Sequence, residues 1–173
     1  PLVRVLSRLE NRALAAREPH PLLGAARATA TLVEGGESHS AVPARCLLRV
    51  DRRTLPGEPK EALEAEMAAL AAAAGLPVSL GPPSPDVAAL ETAADHPLAR
   101  AALEAAAGIG APAAPVAFPG GTDAPNFLAP AVICGPGDLA QAHAAEEWIE
   151  LKQLTGAARL WLGIARRLLG GDT

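Results

Sequence analysis

The chain has 173 residues, half of them hydrophobic, but with only two Trp, two Phe and no Tyr. Its cores must therefore be built from Leu, Val and Ala, and its length suits one domain or two small ones. A formal net charge of −4 gives no electrostatic footprint for nucleic acid or an anionic membrane, and no run of about 18 apolar residues is available to span a bilayer.

No signal-peptide pattern is present. Cys46 and Cys134 stand alone, outside any CxxC or finger spacing, which suits a reducing, cytoplasmic compartment. The chain begins at Pro1 with no initiator Met, already inside a helical pattern, which raises the expectation of further chain upstream.

Leu2, Val5, Leu6 and Leu9 recur at helical spacing and predict an amphipathic helix to about Glu18. "EPHPLLG" breaks it. "ARATATLVEGG" alternates, is rich in β-branched residues and ends in Gly35-Gly36, which predicts a strand and a turn. "RCLLRVD" puts Cys46, Leu48 and Val50 on one face of a second strand, antiparallel to the first. "TLPGEP" is a turn, and Pro59 suits the first turn of a helix. Leu63, Met67, Leu70 and Ala74 form that helix's expected buried stripe, with Gly75 at the position just past its end. "PVSL" (77–80) is an expected short third strand. The order helix-strand-strand-helix-strand predicts an α+β unit of ferredoxin-like type that lacks its first strand, which would leave an unpaired edge.

"GPPSPD" (81–86) concentrates prolines and is the expected joint. Beyond it, Asp95 is expected to cap a helix over "HPLARAALEAAAG". "PVAF" reads as a strand, "PGGTDAPNF" as a glycine-rich loop with a short helix, and "AVIC" as a strand entering Gly135-Pro136-Gly137. A last helix over about 151–169 is expected to bury Leu151, Leu154, Trp161 and Leu168. Strands alternating with helices imply a parallel-type α/β layer. The fold class is thus α/β: a lid-like unit over residues 1–82, then part of an α/β domain over 83–173.

His143 follows a strand end, where α/β sheets place ligands. Read from spacing alone, it is either a metal ligand or a surface histidine. The second is the plainer reading, because no other His, Asp or Cys stands nearby at ligand spacing. Glu146 and Glu147 suit a helix N-terminus. In "GGTD" (120–123) the backbone amides suit an anion nest, or Thr122 or Asp123 caps a tight turn. Arg52 and Arg53, being adjacent, face opposite sides of the sheet; one can clamp a carboxylate, or both are solvated strand ends. Ser40 reads as turn chemistry and Cys134 as core. His20, His39 and His96 receive no role.

"GGESHSAVPARCLLRVDRRTLPGE", "GGTDAPNF" and "GPGDLAQAHAAEEWIEL", in that order, resemble the C-terminal half of the di-metal amidohydrolases and peptidases: acetylornithine deacetylase, succinyl-diaminopimelate desuccinylase, aminoacylase and glutamate carboxypeptidase. "DRRTLPGE" and "GPG…AH…E" are the most specific blocks, and the resemblance covers essentially the whole chain. It implies that residues 1–82 are the back part of a lid, or dimerisation, domain that forms a homodimer, and that 83–173 close a metallopeptidase catalytic domain. It places His143 on the last metal ligand, Arg53 on the lid arginine that holds a substrate carboxylate, Ser40 where many members have an active-site Asn, and Gly121 and Thr122 in the substrate-facing loop. Pro125, where many members carry Arg, and Ser40 itself depart from the pattern and point to a subgroup.

The implied activity is metal-dependent hydrolysis of the amide bond in N-acyl amino acids or small peptides. In the complete protein two Zn ions (or Co or Mn) would acidify a bridging water and a glutamate would take its proton. Most of that machinery lies outside this sequence. None of the four histidines is followed two residues on by Asp, and the single Glu-Glu, 146–147, comes after His143 instead of before it. The chain alone is therefore expected to be inactive. A second reading, from another functional class, is a non-catalytic dimerisation or interaction module derived from the same family.

Overall fold

The alternating stretch after His20 folds as β1 (Arg27–Gly35) and pairs antiparallel with β2 (Cys46–Arg53). This computed structural model describes residues 18–73, 75, 77–84 and 86–170, and the chain divides into two units between Ala89 and Leu90. The helix expected over 2–18 lies, apart from the non-helical Glu18, outside the described residues, as does Ala74.

In the first unit, Ala28 faces Arg52 and Ala30 faces Val50; the partnering then slips by one, so that Leu32 faces Arg49 and Val33 faces Leu48. Ala26 and Ala28 are buried, with Val50 and Leu55 packed on them. Arg52 shares this covered face. Its guanidinium lies 2.9 Å from Glu58 and 3.6 Å from Glu66, and all three side chains are nearly buried, at 11–12% exposure. Glu58 also closes the turn after β2: its Oε2 accepts from the Leu55 N–H at 2.8 Å, while its own N–H donates to the Leu55 carbonyl at 3.2 Å. Glu66 belongs to helix α1 (Lys60–Ala73), so the cluster ties strand, turn and helix together.

The Pro59 carbonyl accepts from the N–H groups of Ala62 and Leu63 and starts α1. Gly75, at φ +64°, ends it in the left-handed conformation that glycine adopts without strain. Leu63, Met67 and Leu70 are half-buried and no residue of α1 is fully buried, so the expected stripe exists but is thinly covered. Residues 77–80 form no strand. Val78 and Leu80 are exposed: a short apolar run states a preference, but a strand needs a neighbour's backbone to complete its ladder.

In the second unit, helix α2 (Pro97–Gly108) packs on helix α3 (Leu151–Leu169). The cap of α2 is His96, whose Nδ1 accepts from the Leu98 N–H at 3.2 Å, and not Asp95 as expected. Ala105, Ala106 and Leu160 are buried together, with Ala111, Cys134 and Ile164 against them. A Cβ added to Gly163 would lie 3.2 Å from the Ala105 Cβ, so the two backbones approach through small residues.

This geometry corrects the expected face of α3. Ala157 and Leu160 are buried, whereas Leu151, Leu154, Trp161 and Leu168 are exposed, Leu151 by 79% and Trp161 by 52%. The alanine face of α2 takes the side of α3 on which Leu160 and Ile164 flank Gly163, and Leu151, Leu154, Trp161 and Leu168 stay outward. Arg167 closes the pair, its Nε donating to Glu104 at 3.3 Å and its Nη1 to the Gly163 carbonyl at 3.1 Å.

No parallel layer forms here. Among the described residues the two-stranded β1–β2 sheet is the only sheet, and neither 115–118 nor 131–134 is a strand. The Ala131 backbone instead meets a side chain. Thr92 Oγ1 donates to the Ala131 carbonyl at 2.6 Å and accepts from its N–H at 3.2 Å. The next residues reach α3, where Trp161 Nε1 donates to the Cys134 carbonyl at 3.4 Å. Burial pushes the Cys134 thiol above its ordinary pKa. Overall the chain remains α/β, with one small antiparallel sheet and three helices among the described residues.

Two substitutions test these packings. Arg52→Met removes the nearly buried guanidinium that pairs with Glu58 and Glu66, so denaturant unfolding should show a loss of about 3 kcal/mol. Arg53→Ala, at an exposed site, should lose less than about 0.5 kcal/mol, and equal losses would refute the division of labour. Gly163→Leu should wedge α2 from α3 and lower stability by roughly 1–3 kcal/mol; an unchanged melting temperature would show that the close approach is not needed.

Candidate functional site

His143 sits in a loop built by short-range hydrogen bonds. Gly137, at φ +102°, turns the chain after Pro136. Asp138 then accepts on Oδ1 from the Ala140 N–H at 2.9 Å and opens a single 3-10 turn over Leu139–Gln141. The Ala142 N–H donates to the Leu139 carbonyl at 3.0 Å and the Ala144 N–H to the Gln141 carbonyl at 3.1 Å. Between them, His143 adopts φ +63°, the only positive φ at a non-glycine among the described residues. That conformation costs about 1–2 kcal/mol in a residue carrying a Cβ. The His143 N–H donates to Glu147 Oε1 at 2.5 Å, a charge-assisted bond. The imidazole is exposed and is flanked by the exposed Ala142, Ala144 and Ala145, so no bulky neighbour blocks its approach to a partner.

An exposed imidazole with small neighbours can serve as one metal ligand. A centre needs more: structural and catalytic zinc sites use three or four protein ligands. Among the described residues no three His, Cys, Asp or Glu side chains come together to hold an ion. The donor set of the described residues does not by itself fit the metal centre that the resemblance implies.

Gly121 and Thr122 occupy the exposed loop between Phe118 and the 3-10 turn Ala124–Asn126. Thr122 is the capping side chain, its Oγ1 accepting from the Ala124 N–H at 3.3 Å, while Asp123 makes no side-chain cap bond. At Gly120 an added Cβ would meet the Phe118 ring at 2.7 Å, so ring and glycine share one small space. Ser40 lies in the exposed turn between β1 and β2. Its N–H donates to Ser38 Oγ at 3.3 Å, and the two hydroxyls are 3.1 Å apart.

Arg53 stands on the opposite side of the sheet from Arg52. It is exposed, with Nη2 donating to Asp51 at 2.9 Å. Asp51 and Arg53 lie two apart on a strand and so share a face, a pairing readable in "DRR" but not drawn from it. The structure thus separates the two arginines: Arg52 is tied into the fold, and Arg53 presents its guanidinium outward. Ser40 and Arg53 belong to the first unit, and Gly121, Thr122 and His143 to the second.

Two further histidines serve as backbone acceptors. His20 Nδ1 accepts from the N–H groups of Leu22 and Leu23 at 3.2 and 3.1 Å, and His96 caps α2. A histidine one residue before a helix-starting Pro97, with no Ser or Thr at that position, was the available signal.

No helix among the described residues is long and apolar enough to cross a membrane. Comparison with known families adds two matches. Residues 2–78 match the family model described as a peptidase dimerisation domain, and residues 82–167, which include His143, match that of peptidase family M20/M25/M40. No curated protein matches the chain. The first match ends and the second begins beside the proline-rich stretch at 81–86, and together they run over nearly the whole sequence: the chain belongs to the M20 peptidases, a family of hydrolases, and carries the family's dimerisation domain ahead of a peptidase segment.

Proposed function

We propose that this chain supplies part of the active site of a metal-dependent M20 hydrolase that cleaves the amide bond of N-acyl amino acids or small peptides. The carrying observation is the peptidase-family match over 82–167, which contains the exposed His143 in its fixed loop. In this reading His143 is one ligand of a centre of two Zn ions, or Co or Mn. The other ligands and the general base lie outside residues 1–173, and the chain alone is inactive.

Arg53 clamps the substrate carboxylate. Its fork offers paired donors, and its exposure on the outward face beside Asp51 suits the task, whereas Arg52 is nearly buried between Glu58 and Glu66. Ser40, Gly121 and Thr122 border the substrate. The lid-like segment, residues 1–82, pairs two copies of the protein, in keeping with the dimerisation match over 2–78. A reducing, cytoplasmic setting suits Cys46 and Cys134, both free thiols.

The test has two arms. The purified chain, dialysed against zinc, should retain well under one ion per chain and should not hydrolyse N-acetyl amino acids. In a protein that joins this chain to a family segment carrying the remaining ligands, His143→Ala should lose zinc and cut turnover by on the order of a hundredfold or more. Arg53→Ala in the same protein should keep its zinc and raise KM about tenfold or more. Full zinc and near-normal turnover for His143→Ala would overturn the ligand assignment, and a joined protein that holds no zinc and turns nothing over before any substitution would favour a non-catalytic dimerisation module.

A further inference from the structure

We infer that Glu147 is a positioning residue: by accepting the His143 N–H, its carboxylate holds that residue in the left-handed conformation and thereby sets the direction of the imidazole. The importance of this lock rests on the proposed ligand role of His143, but its geometry does not. Three observations carry it. His143 has φ +63° although it is not glycine, and a side chain at such a position persists only when its surroundings over-determine it. His143 is the third residue of the turn Gln141–Ala144, closed by the Ala144 N–H to Gln141 carbonyl bond, with Ala142 at φ −63°, ψ 129°; such a turn calls for positive φ at its third position, which suits glycine better than histidine, and it leaves the His143 amide to be fixed by a side chain. That amide meets Glu147 Oε1 at 2.5 Å, four residues on.

The neighbouring side chains cannot do this work. Ala142, Ala144 and Ala145 bear only methyl groups, and all are exposed. A charged acceptor is about twice as strong as a neutral one, which suits a bond that must hold against backbone strain in contact with water. Rotation of His143 to negative φ would swing its Cβ direction and carry the imidazole away from its present line. The bond also assigns the acid pair. Glu147 is committed through one oxygen to the backbone and acts through His143.

Amide exchange and NMR shifts on the isotopically labelled 173-residue chain, without metal, test the lock. In the unaltered chain the His143 amide should exchange on the order of tenfold more slowly than that of Ala145, and its coupling constant and carbon shifts should report positive φ. Glu147→Ala should abolish both signatures. Glu147→Gln, which keeps an oxygen acceptor without the charge, should retain positive φ with intermediate protection. Glu146→Ala should change neither, and helical circular dichroism should be the same in all four proteins, a readout that a merely structural role would move. Unchanged His143 exchange and shifts in Glu147→Ala, or no gradation from Glu through Gln to Ala, would overturn the inference. No metal enters this experiment, so its failure is separable from failure of the zinc test on His143→Ala.

Discussion

Alanine sets the terms of this structure. Of the eight residues buried among those described, seven are alanine and the eighth is Leu160. A methyl group removes little surface from water, so stabilisation comes less from large side chains than from letting backbones approach closely. The α2–α3 contact works this way, with Gly163 against Ala105. Among its described residues the first unit has only Ala26 and Ala28 fully buried, and there the nearly buried Arg52 cluster acts as cross-link. Such a cluster adds little net energy over an apolar equivalent but is costly to break, so its effect is to make one arrangement of strand, turn and helix the permitted one.

The strands β1 and β2 and the three helices were legible because their periods extend over eight or more residues, and the turn glycines and Pro59 marked their ends. What failed to form were the strands at 77–80, 115–118 and 131–134. Each is only four residues long and mostly apolar, too short for pattern alone to show pairing; at Ala131 the hydroxyl of Thr92 takes the bonds a ladder would have taken. The α3 face was misread for a different reason. Large apolar residues lie on more than one side of the helix, and the alanine-lined partner takes the side on which Leu160 and Ile164 flank Gly163.

The site was legible unevenly. Parity along a strand correctly sent Arg52 and Arg53 to opposite faces, but only the fold shows Arg52 bound to Glu58 and Glu66 and Arg53 set outward with Asp51. His143 was ambiguous from spacing, because its left-handed backbone and its bond to Glu147 leave no trace in hydrophobic pattern. Its candidacy came from the order of motif blocks, and the peptidase-family match spans the same residue. The histidines at 20 and 96, passed over as loop residues, instead serve as backbone acceptors, a task that Ser, Thr, Asn or Asp more often performs.

The slip in pairing between Ala30 and Leu32 has an evolutionary corollary. It lies where the hairpin changes partners, and on its far side the two arginines are sorted by parity alone. A single codon gained or lost between Val50 and Arg53 would exchange them, sending the outward guanidinium into the covered face and the anchoring one into solvent. The exposed stretch from Gly36 to Arg45 carries no such burden and can change length without disturbing that order. Lineages of this fold should therefore vary freely in hairpin length while keeping the count from Cys46 to Glu58 constant, because that interval sorts identical side chains into opposite employments.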